Sequence, residues 1–129
     1  MTEHPKGSAP PLVGVVDDDA SMADSTRYLI QSFGLRSKSF GSAREFLGSD
    51  CVEEVSCLVL DIRMPEMDGL ELQRHLVRND KRCPIVFVTA HASENEEKRA
   101  MERGAVAVLR KPVSEGLLFN AIQAALGRS

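Results

Sequence analysis

The sequence predicts a single α/β domain built on a parallel sheet. With 129 residues, the chain is long enough for one domain with its own core. Four short runs rich in Val, Ile and Leu alternate with longer amphipathic stretches, which is typical of buried parallel strands joined by helices. Because crossovers between parallel strands are right-handed, helices must cover both faces of such a sheet. We therefore expect three layers.

Four strands are predicted from these apolar runs: Leu12 to Asp17, Ser56 to Asp61, Pro84 to Thr89 and Ala105 to Leu109. A fifth, short strand is predicted near Arg36 to Phe40, between the first and second of these. Residues 1–11 contain several Pro and Gly residues and no apolar periodicity, so we expect a flexible leader there. The folded domain is then expected over residues 12–127.

The helices are predicted from apolar spacing and from capping residues. Ser42 and Ser93 are each followed three residues later by Glu, which is the pattern of a capping box. Asp68 and Ser114 are expected to begin two further helices, and a glycine is expected to end each of two helices, at Gly34 and Gly104. The predicted core positions of the first, third and last helices are Met22, Leu29, Ile30, Phe33, Leu72, Leu76, Val77, Leu117, Leu118, Ala121, Ile122, Ala125 and Leu126.

Composition excludes several classes of protein. The net charge of -3 argues against nucleic-acid binding by electrostatics. Cys51, Cys57 and Cys83 have neither a CxxC nor a Cys/His spacing, so we interpret them as small apolar residues in a reducing compartment. No segment approaches the roughly 20 apolar residues that span a bilayer. We expect a cytoplasmic protein that does not enter a membrane.

Chemically useful residues follow four of the five predicted strands. Asp17-Asp18-Asp19 follows the first, Asp61 ends the third, Thr89 ends the fourth, and Lys111-Pro112 comes shortly after the fifth. The carboxyl ends of parallel strands share one edge of the sheet, where binding sites form. Carboxylates, a hydroxyl and an ammonium are therefore expected to meet in one site suited to phosphoryl chemistry.

A cluster of carboxylates needs a cation, because like charges held close together are unfavourable. Two or three carboxylate oxygens with water suit Mg²⁺, which also binds phosphate oxygens. We expect Asp17 and Asp18 to face Asp61 in this cluster, whereas Asp19 fits a helix N-cap. Carboxylates also act as phosphoryl acceptors, and Lys111 and Thr89 could stabilise the phosphoryl oxygens. Pro112 allows a cis peptide after Lys111, although most bonds of this kind are trans.

These motifs together resemble the receiver domain of two-component response regulators. The resemblance rests on VVDDD at residues 15–19, LDIRMPEMDG at 60–69, VTAH at 88–91 and the Lys111-Pro112 pair, and it runs from about Leu12 to Leu126. The D-x-R-M-P-x-M-D-G stretch with T-A-H is most similar to the FixJ-type receivers of transcription factors. The implied fold is the CheY-like (flavodoxin-like) doubly wound sheet of strand order 2-1-3-4-5.

The resemblance also implies roles for individual residues. Asp61 is then the phosphoacceptor, and it binds Mg²⁺ together with Asp17, Asp18 and the backbone carbonyl of Arg63. Thr89 is the switch hydroxyl and Lys111 the cation that contacts the phosphoryl group.

The implied function is a phosphorylation-dependent signalling switch. The implied donor is a sensor histidine kinase or a phosphotransfer protein. The output is a change of partner, such as a phosphorylation-dependent homodimer, on the face made by the fourth helix, fifth strand and fifth helix. Such a receiver catalyses its own phosphorylation and dephosphorylation and converts no external metabolite, so we do not class it as an enzyme. Receivers of this subtype usually precede a DNA-binding domain and regulate transcription.

Two positions depart from the receiver pattern. Receivers usually carry Tyr or Phe three residues before the Lys, where this chain has Val108, and Phe after Lys-Pro, where it has Val113.

The sequence alone leaves two alternative functions open. A haloacid-dehalogenase-like phosphatase also uses an Asp nucleophile with Mg²⁺, and the D-x-D within residues 17–19 fits it, but this leaves Asp68-Gly69 and Lys111-Pro112 without a role. The other is a phosphorylation-independent interaction module, which Val108 alone supports.

Overall fold

The computed structural model describes residues 9–127. Five strands and five α-helices alternate along these residues, with a short 3₁₀ helix before the third strand. In chain order they are β1 (Leu12–Val16), α1 (Ala20–Ser32), β2 (Arg36–Phe40), α2 (Ala43–Leu47), the 3₁₀ helix (Asp50–Val52), β3 (Cys57–Leu60), α3 (Gly69–Arg78), β4 (Ile85–Thr89), α4 (Glu94–Glu102), β5 (Ala107–Arg110) and α5 (Glu115–Leu126). Every predicted strand and helix is present; the 3₁₀ helix was not predicted.

The strands form one parallel sheet of order β2-β1-β3-β4-β5, as predicted. The register pairs Val16 with Leu60 and Thr89 with Arg110. Neighbouring strands therefore end at nearly the same level. This alignment is what brings the residues after β1, β3, β4 and β5 to one edge of the domain.

Helices cover both faces of the sheet, as predicted. On one face, alternate strand side chains pack with Ile30 of α1 and Ile122 of α5. On the other face, the remaining strand side chains pack with Phe46 of α2, Leu72 of α3 and Ala100 of α4. Successive side chains of a strand point to opposite faces, and both faces are covered, so β1, β3 and β4 are buried along their whole length. The edge strand β2 is more polar and only partly buried.

The helix caps agree with the sequence except at α2. Ser93 and Glu96 form the predicted capping box of α4. At α2, Ser42 does accept the backbone N–H of Glu45, but the Glu45 carboxylate accepts the N–H of Gly41 at 2.7 Å rather than that of Ser42. The predicted reciprocal box is therefore wrong there, because the Glu side chain reaches one residue further back. The capping box of Asp68 with Glu71 at the start of α3 was not predicted.

Two predicted core positions are wrong. Val77 of α3 is 59% exposed and Leu117 of α5 is 58% exposed. Their immediate neighbours Leu76 and Leu118 are buried against the sheet. Consecutive residues lie about 100° apart around a helix, so both members of such a pair cannot face the same surface.

The predicted leader lies mostly outside the described residues, since residues 1–8 are not among them. The carbonyls of Pro10 and Pro11 accept hydrogen bonds from the side chain and backbone of Arg36, at 2.8 and 3.1 Å. The end of the leader therefore lies against β2. Between residues 9 and 127, none of the helices combines the length and apolarity that crossing a bilayer requires.

Candidate functional site

The edge of the sheet holds two buried carboxylates side by side. The backbone N–H of Asp61 donates to the carbonyl of Val16, and that of Asp17 donates to the carbonyl of Phe40, each at 3.1 Å. These bonds continue the pairing of β1 with β3 and β2 by one residue. Asp17 and Asp61 are consequently fixed next to each other and are only 6% and 8% exposed.

Lys111 bridges the two carboxylates. Its Nζ atom lies 2.9 Å from Oδ2 of Asp17 and 3.0 Å from Oδ2 of Asp61. The backbone N–H of Lys111 donates to the carbonyl of Thr89, which places the residue directly beyond the β4–β5 pairing. The peptide bond from Lys111 to Pro112 is cis. Through its two Nζ contacts, Lys111 places one ammonium against residues from two other strand ends.

The remaining oxygens of the buried carboxylates are held by backbone donors. Oδ1 of Asp17 accepts the N–H of Asp19 at 3.0 Å, and Oδ1 of Asp61 accepts the N–H of Arg63 at 3.2 Å. Asp18 is exposed, but its carboxylate shares the site: ligand atoms of Asp17, Asp18 and Asp61 lie within 4.8 Å of one another. The buried carboxylates thus have fixed orientations, whereas Asp18 lies at the solvent side.

The site has an excess of negative charge. Burial raises the pKa of Asp17, and the charge of Asp61 raises it further, while the hydrogen bonds of Asp19 and Lys111 only partly compensate. Burial lowers the pKa of Lys111, but the hydrogen bonds and charges of Asp17 and Asp61 outweigh it, so the pKa of Lys111 is raised. Lys111 is therefore an ammonium at neutral pH. A single ammonium does not balance three carboxylates, and the site favours a further cation.

Thr89 lies at the adjacent strand end, but its hydroxyl turns into its own loop. This side chain is fully buried. Its Oγ1 donates to the carbonyl of His91 at 3.0 Å and accepts the His91 N–H at 3.4 Å. The structure thus brings Asp17, Asp18, Asp61 and Lys111 together, and places Thr89 beside them with its hydroxyl on His91.

The two departures from the receiver pattern are apolar packing positions. Val108 pairs with Phe87 in the sheet and packs on the face covered by α2, α3 and α4. Val113 packs on the opposite face, which α1 and α5 cover. Neither side chain carries a polar group that could take part in the site.

Three contacts near the site were not predicted from the sequence. Gly69 lies against the backbone of Asp61, where a β-carbon would come within 2.2 Å of the Asp61 carbonyl oxygen. Glu96 of α4 binds the guanidinium of Arg63 at 2.7 Å, and Arg110 binds Glu97 at 3.1 Å. The Asp68-Gly69 pair indicated a helix start and formed part of the family resemblance, but not the contact of Gly69 with the Asp61 backbone. Ion pairs between distant segments leave no signal in sequence spacing.

Comparison with known proteins places this chain in a family. Residues 13–123 match the family of response regulator receiver domains. Nodulation protein W of Bradyrhizobium diazoefficiens is 43% identical over 97% of this chain, and the transcriptional regulatory protein FixJ of Azorhizobium caulinodans is 34% identical over 91%. The chain spans 55% and 56% of the lengths of these two relatives.

Solved structures agree with this assignment. The response regulator StyR shares 43% identity and superposes with a TM-score of 0.85, covering 93% of this chain and 61% of the other. The crystal structure of FixJ-N shares 30% identity with a TM-score of 0.84, covering 95% of this chain and 98% of the other. The match decides against the phosphatase alternative. This chain belongs to the family of response regulator receiver domains, the signalling switches of two-component systems.

Proposed function

We propose that Asp61 accepts a phosphoryl group from the phosphohistidine of a sensor histidine kinase or a phosphotransfer protein. The observation that supports this most is the orientation of the Asp61 carboxylate, which Lys111 Nζ and the Arg63 N–H hold at 3.0 and 3.2 Å. One Asp61 oxygen forms a bond to phosphorus while the phosphorus–nitrogen bond breaks, and that electron pair stays on the imidazole nitrogen. Lys111 stabilises the charge on the phosphoryl oxygens.

The donor set fits Mg²⁺. Carboxylate oxygens of Asp17, Asp18 and Asp61 lie close enough to bind one ion, and the backbone carbonyl of Arg63 is the proposed fourth protein ligand. When bound, Mg²⁺ supplies positive charge to the carboxylates and a contact for a phosphoryl oxygen. The exposed position of Asp18 leaves the site open to solvent, as an ion that keeps several waters requires.

We further propose that Thr89 reports the modification. Its hydroxyl has to release the backbone of His91 before it can donate to a phosphoryl oxygen. The resulting change in the β4–α4 loop alters the face made by α4, β5 and α5, and a phosphorylation-dependent homodimer through this face is one output. The receiver acts on its own carboxylate and on no external metabolite.

The relatives support a proposal for the role of this domain in the cell. The chain spans about half the length of relatives that are transcriptional regulators, so we propose that it controls a separate output segment in transcription regulation. With a net charge of -3, the receiver itself does not bind nucleic acid. The three free cysteines are compatible with the reducing cytoplasm in which we place it.

Intact-mass spectrometry after incubation with acetyl phosphate tests the acceptor. The wild-type chain should gain one phosphoryl group, and more of it with Mg²⁺ than without. Asp61→Asn should gain none. The matched control is Asp68→Asn, which makes the same chemical change at the N-cap of α3, where Asn also caps, and should still be phosphorylated.

Two outcomes contradict the proposal. An undiminished mass gain in Asp61→Asn would assign the phosphoryl group to another residue. No gain in the wild-type chain with Mg²⁺ would favour the phosphorylation-independent interaction module.

A further inference from the structure

Arg63 contacts both Asp61 and helix α4. Its backbone N–H donates to Oδ1 of Asp61, at 3.2 Å. Its guanidinium Nη2 lies 2.7 Å from Oε1 of Glu96, which is 33 residues away in sequence. Arg63 therefore connects the carboxylate at the end of β3 to the first turn of α4 through a single residue.

Glu96 is the fixed member of this ion pair. Its Oε1 also accepts the backbone N–H of Ser93 at 3.0 Å, as part of the capping box. The Glu96 side chain is only 12% exposed, whereas that of Arg63 is 57% exposed. A partly buried, doubly bonded carboxylate has little freedom, so any exchange of partners is made by the Arg63 side chain.

The next residue of α4 makes a similar pair that does not touch Asp61. Glu97 binds Arg110 at 3.1 Å, and Arg110 also donates to the carbonyl of Ala92 at 3.2 Å. Both carboxylates belong to the first turn of the same helix. Glu97 therefore serves as an internal comparison for the effect of Glu96.

A phosphoryl group on Asp61 offers Arg63 a second anion. It carries more negative charge than the Glu96 carboxylate and has several acceptor oxygens. A guanidinium favours such groups because its planar donors match phosphate geometry. Since the Arg63 backbone already lies on the Asp61 carboxylate, the two anions compete for one side chain.

We propose that Glu96 is a positioning residue that holds the Arg63 guanidinium on α4 and thereby limits its access to the phosphoryl group on Asp61. This inference rests on the proposed function of Asp61. When Arg63 moves to the phosphoryl oxygens it stabilises the acyl phosphate and obstructs the approach of water to phosphorus. The same movement removes the ion pair that links the β3–α3 loop to the first turn of α4. Glu96 thus sets the lifetime of the modification.

The experiment measures the half-life of the phosphorylated chain by intact mass after the phosphodonor is removed. Glu96→Gln keeps the capping box, which accepts Glu or Gln, but loses the charge that holds Arg63. Its half-life should be roughly two- to fivefold longer than that of the wild type, the range set by the strength of a partly exposed ion pair. Arg63→Gln should shorten the half-life, and Glu96→Gln should add nothing in that background. The control Glu97→Gln should decay like the wild type.

A merely structural role for Glu96 would give a different pattern. The inference is overturned if Glu96→Gln decays at the wild-type rate, if it lengthens the half-life equally without Arg63, or if Glu97→Gln has the same effect. A wild-type chain that incorporates no phosphoryl group would overturn the proposed function as well, so the two failures are distinguishable.

A second measurement uses the wild-type protein. The NMR resonance of Arg63 Nε should shift when beryllofluoride binds. An unchanged resonance would contradict the movement of the Arg63 guanidinium from Glu96 to the phosphoryl group.

Discussion

A β-carbon on Gly69 would lie 2.2 Å from the backbone carbonyl oxygen of Asp61. The first residue of α3 is thus in direct backbone contact with the residue that follows β3. The Gly69 N–H also donates to the carbonyl of Ile62 at 2.9 Å. Gly69 is therefore part of what positions the Asp61 carboxylate, although it contributes no functional group.

Gly69→Ala should destabilise the domain, because the added carbon meets backbone atoms that cannot rotate away. We expect the free energy of unfolding to fall by about 2–3 kcal/mol, measured by urea denaturation, and phosphorylation of Asp61 to slow. The matched control is Gly116→Ala in α5, where a β-carbon has no neighbour within 4 Å. That variant should gain a few tenths to about 1 kcal/mol, because Ala is the better helix former. Equal stabilities for the two variants would contradict this account.

Asp18 and Asp19 are adjacent in sequence, but replacing them by Ala should affect different properties of the domain. Asp19 accepts the Met22 N–H as N-cap of α1, so Asp19→Ala should lower the free energy of unfolding by about 1 kcal/mol and leave Mg²⁺ affinity unchanged. Asp18→Ala removes a proposed ligand and should weaken Mg²⁺ binding at least about tenfold with little change in stability. Calorimetric titration and urea denaturation of both variants test the division. Equal losses of Mg²⁺ affinity would show that it is wrong.

The sheet and its site were predictable because both depend on local signals. Four apolar runs, each ending at or next to a polar residue, are enough to place Asp17, Asp61, Thr89 and Lys111 at one edge, since parallel strands align their ends. The rest depends on tertiary contacts. Whether Leu117 or Leu118 faces the sheet is decided by the rotation of α5, which apolar spacing leaves open when both neighbours are hydrophobic.

The ion pair of Arg63 likewise could not be predicted from local sequence patterns. Its partner Glu96 was recognised as a capping residue because that role depends on a spacing of three. Its ion pair with Arg63 depends on how α4 packs beside the β3–α3 loop, which no local pattern records. The hydroxyl of Thr89 was placed at the correct edge, but its bond to His91 likewise follows from the path of the loop.

The thiol of Cys83 should react unusually slowly and with an unusual pH profile. Burial raises its pKa from the ordinary 9.0 to about 12, so its thiolate fraction at pH 8 is on the order of 10⁻⁴. The rate of alkylation by iodoacetamide should rise about tenfold per pH unit from pH 8 to 10, located by peptide mapping. In the urea-unfolded chain the rate should be half-maximal at about pH 9 and level off by about pH 10, because the ordinary pKa is 9.0. The same levelling-off in the folded protein would contradict the effect of burial.

The raised pKa of Cys83 also makes the stability of the domain depend on pH. Because the folded pKa is raised, the contribution of Cys83 to stability is complete below pH 9.0 and is lost as the pH rises from 9.0 towards 12. Cys57 is fully buried and its pKa is raised as well, so alkaline unfolding should be less steep in a Cys57→Ala/Cys83→Ala variant. The slope of unfolding free energy against pH above 9 measures this.

Val108 constrains how a signal can leave the site. It lies on the same face of the sheet as Thr89, paired with Phe87, and packs against the α2–α4 side of the core. Its branched β-carbon restricts χ1 and it has no long ring to swing. Thr89, in contrast, has a clear movement available, because its hydroxyl can exchange the His91 carbonyl for a phosphoryl oxygen.

We therefore expect activation to propagate through the backbone of the β4–α4 loop rather than through a rotamer change in β5. The exchange at Thr89 removes the hydroxyl contacts that hold His91, and the loop has small and polar residues that reorder at low cost. In a beryllofluoride complex, amide shifts should be largest between Thr89 and Gly104, with little change in the Val108 methyl resonances. Thr89→Val keeps the shape without the hydroxyl, so it should bind beryllofluoride yet lose these shifts. Two outcomes would show that the signal takes another route. One is the absence of amide shifts in the β4–α4 loop of the wild type. The other is that phosphorylation alters dimerisation only in a Val108→Tyr variant.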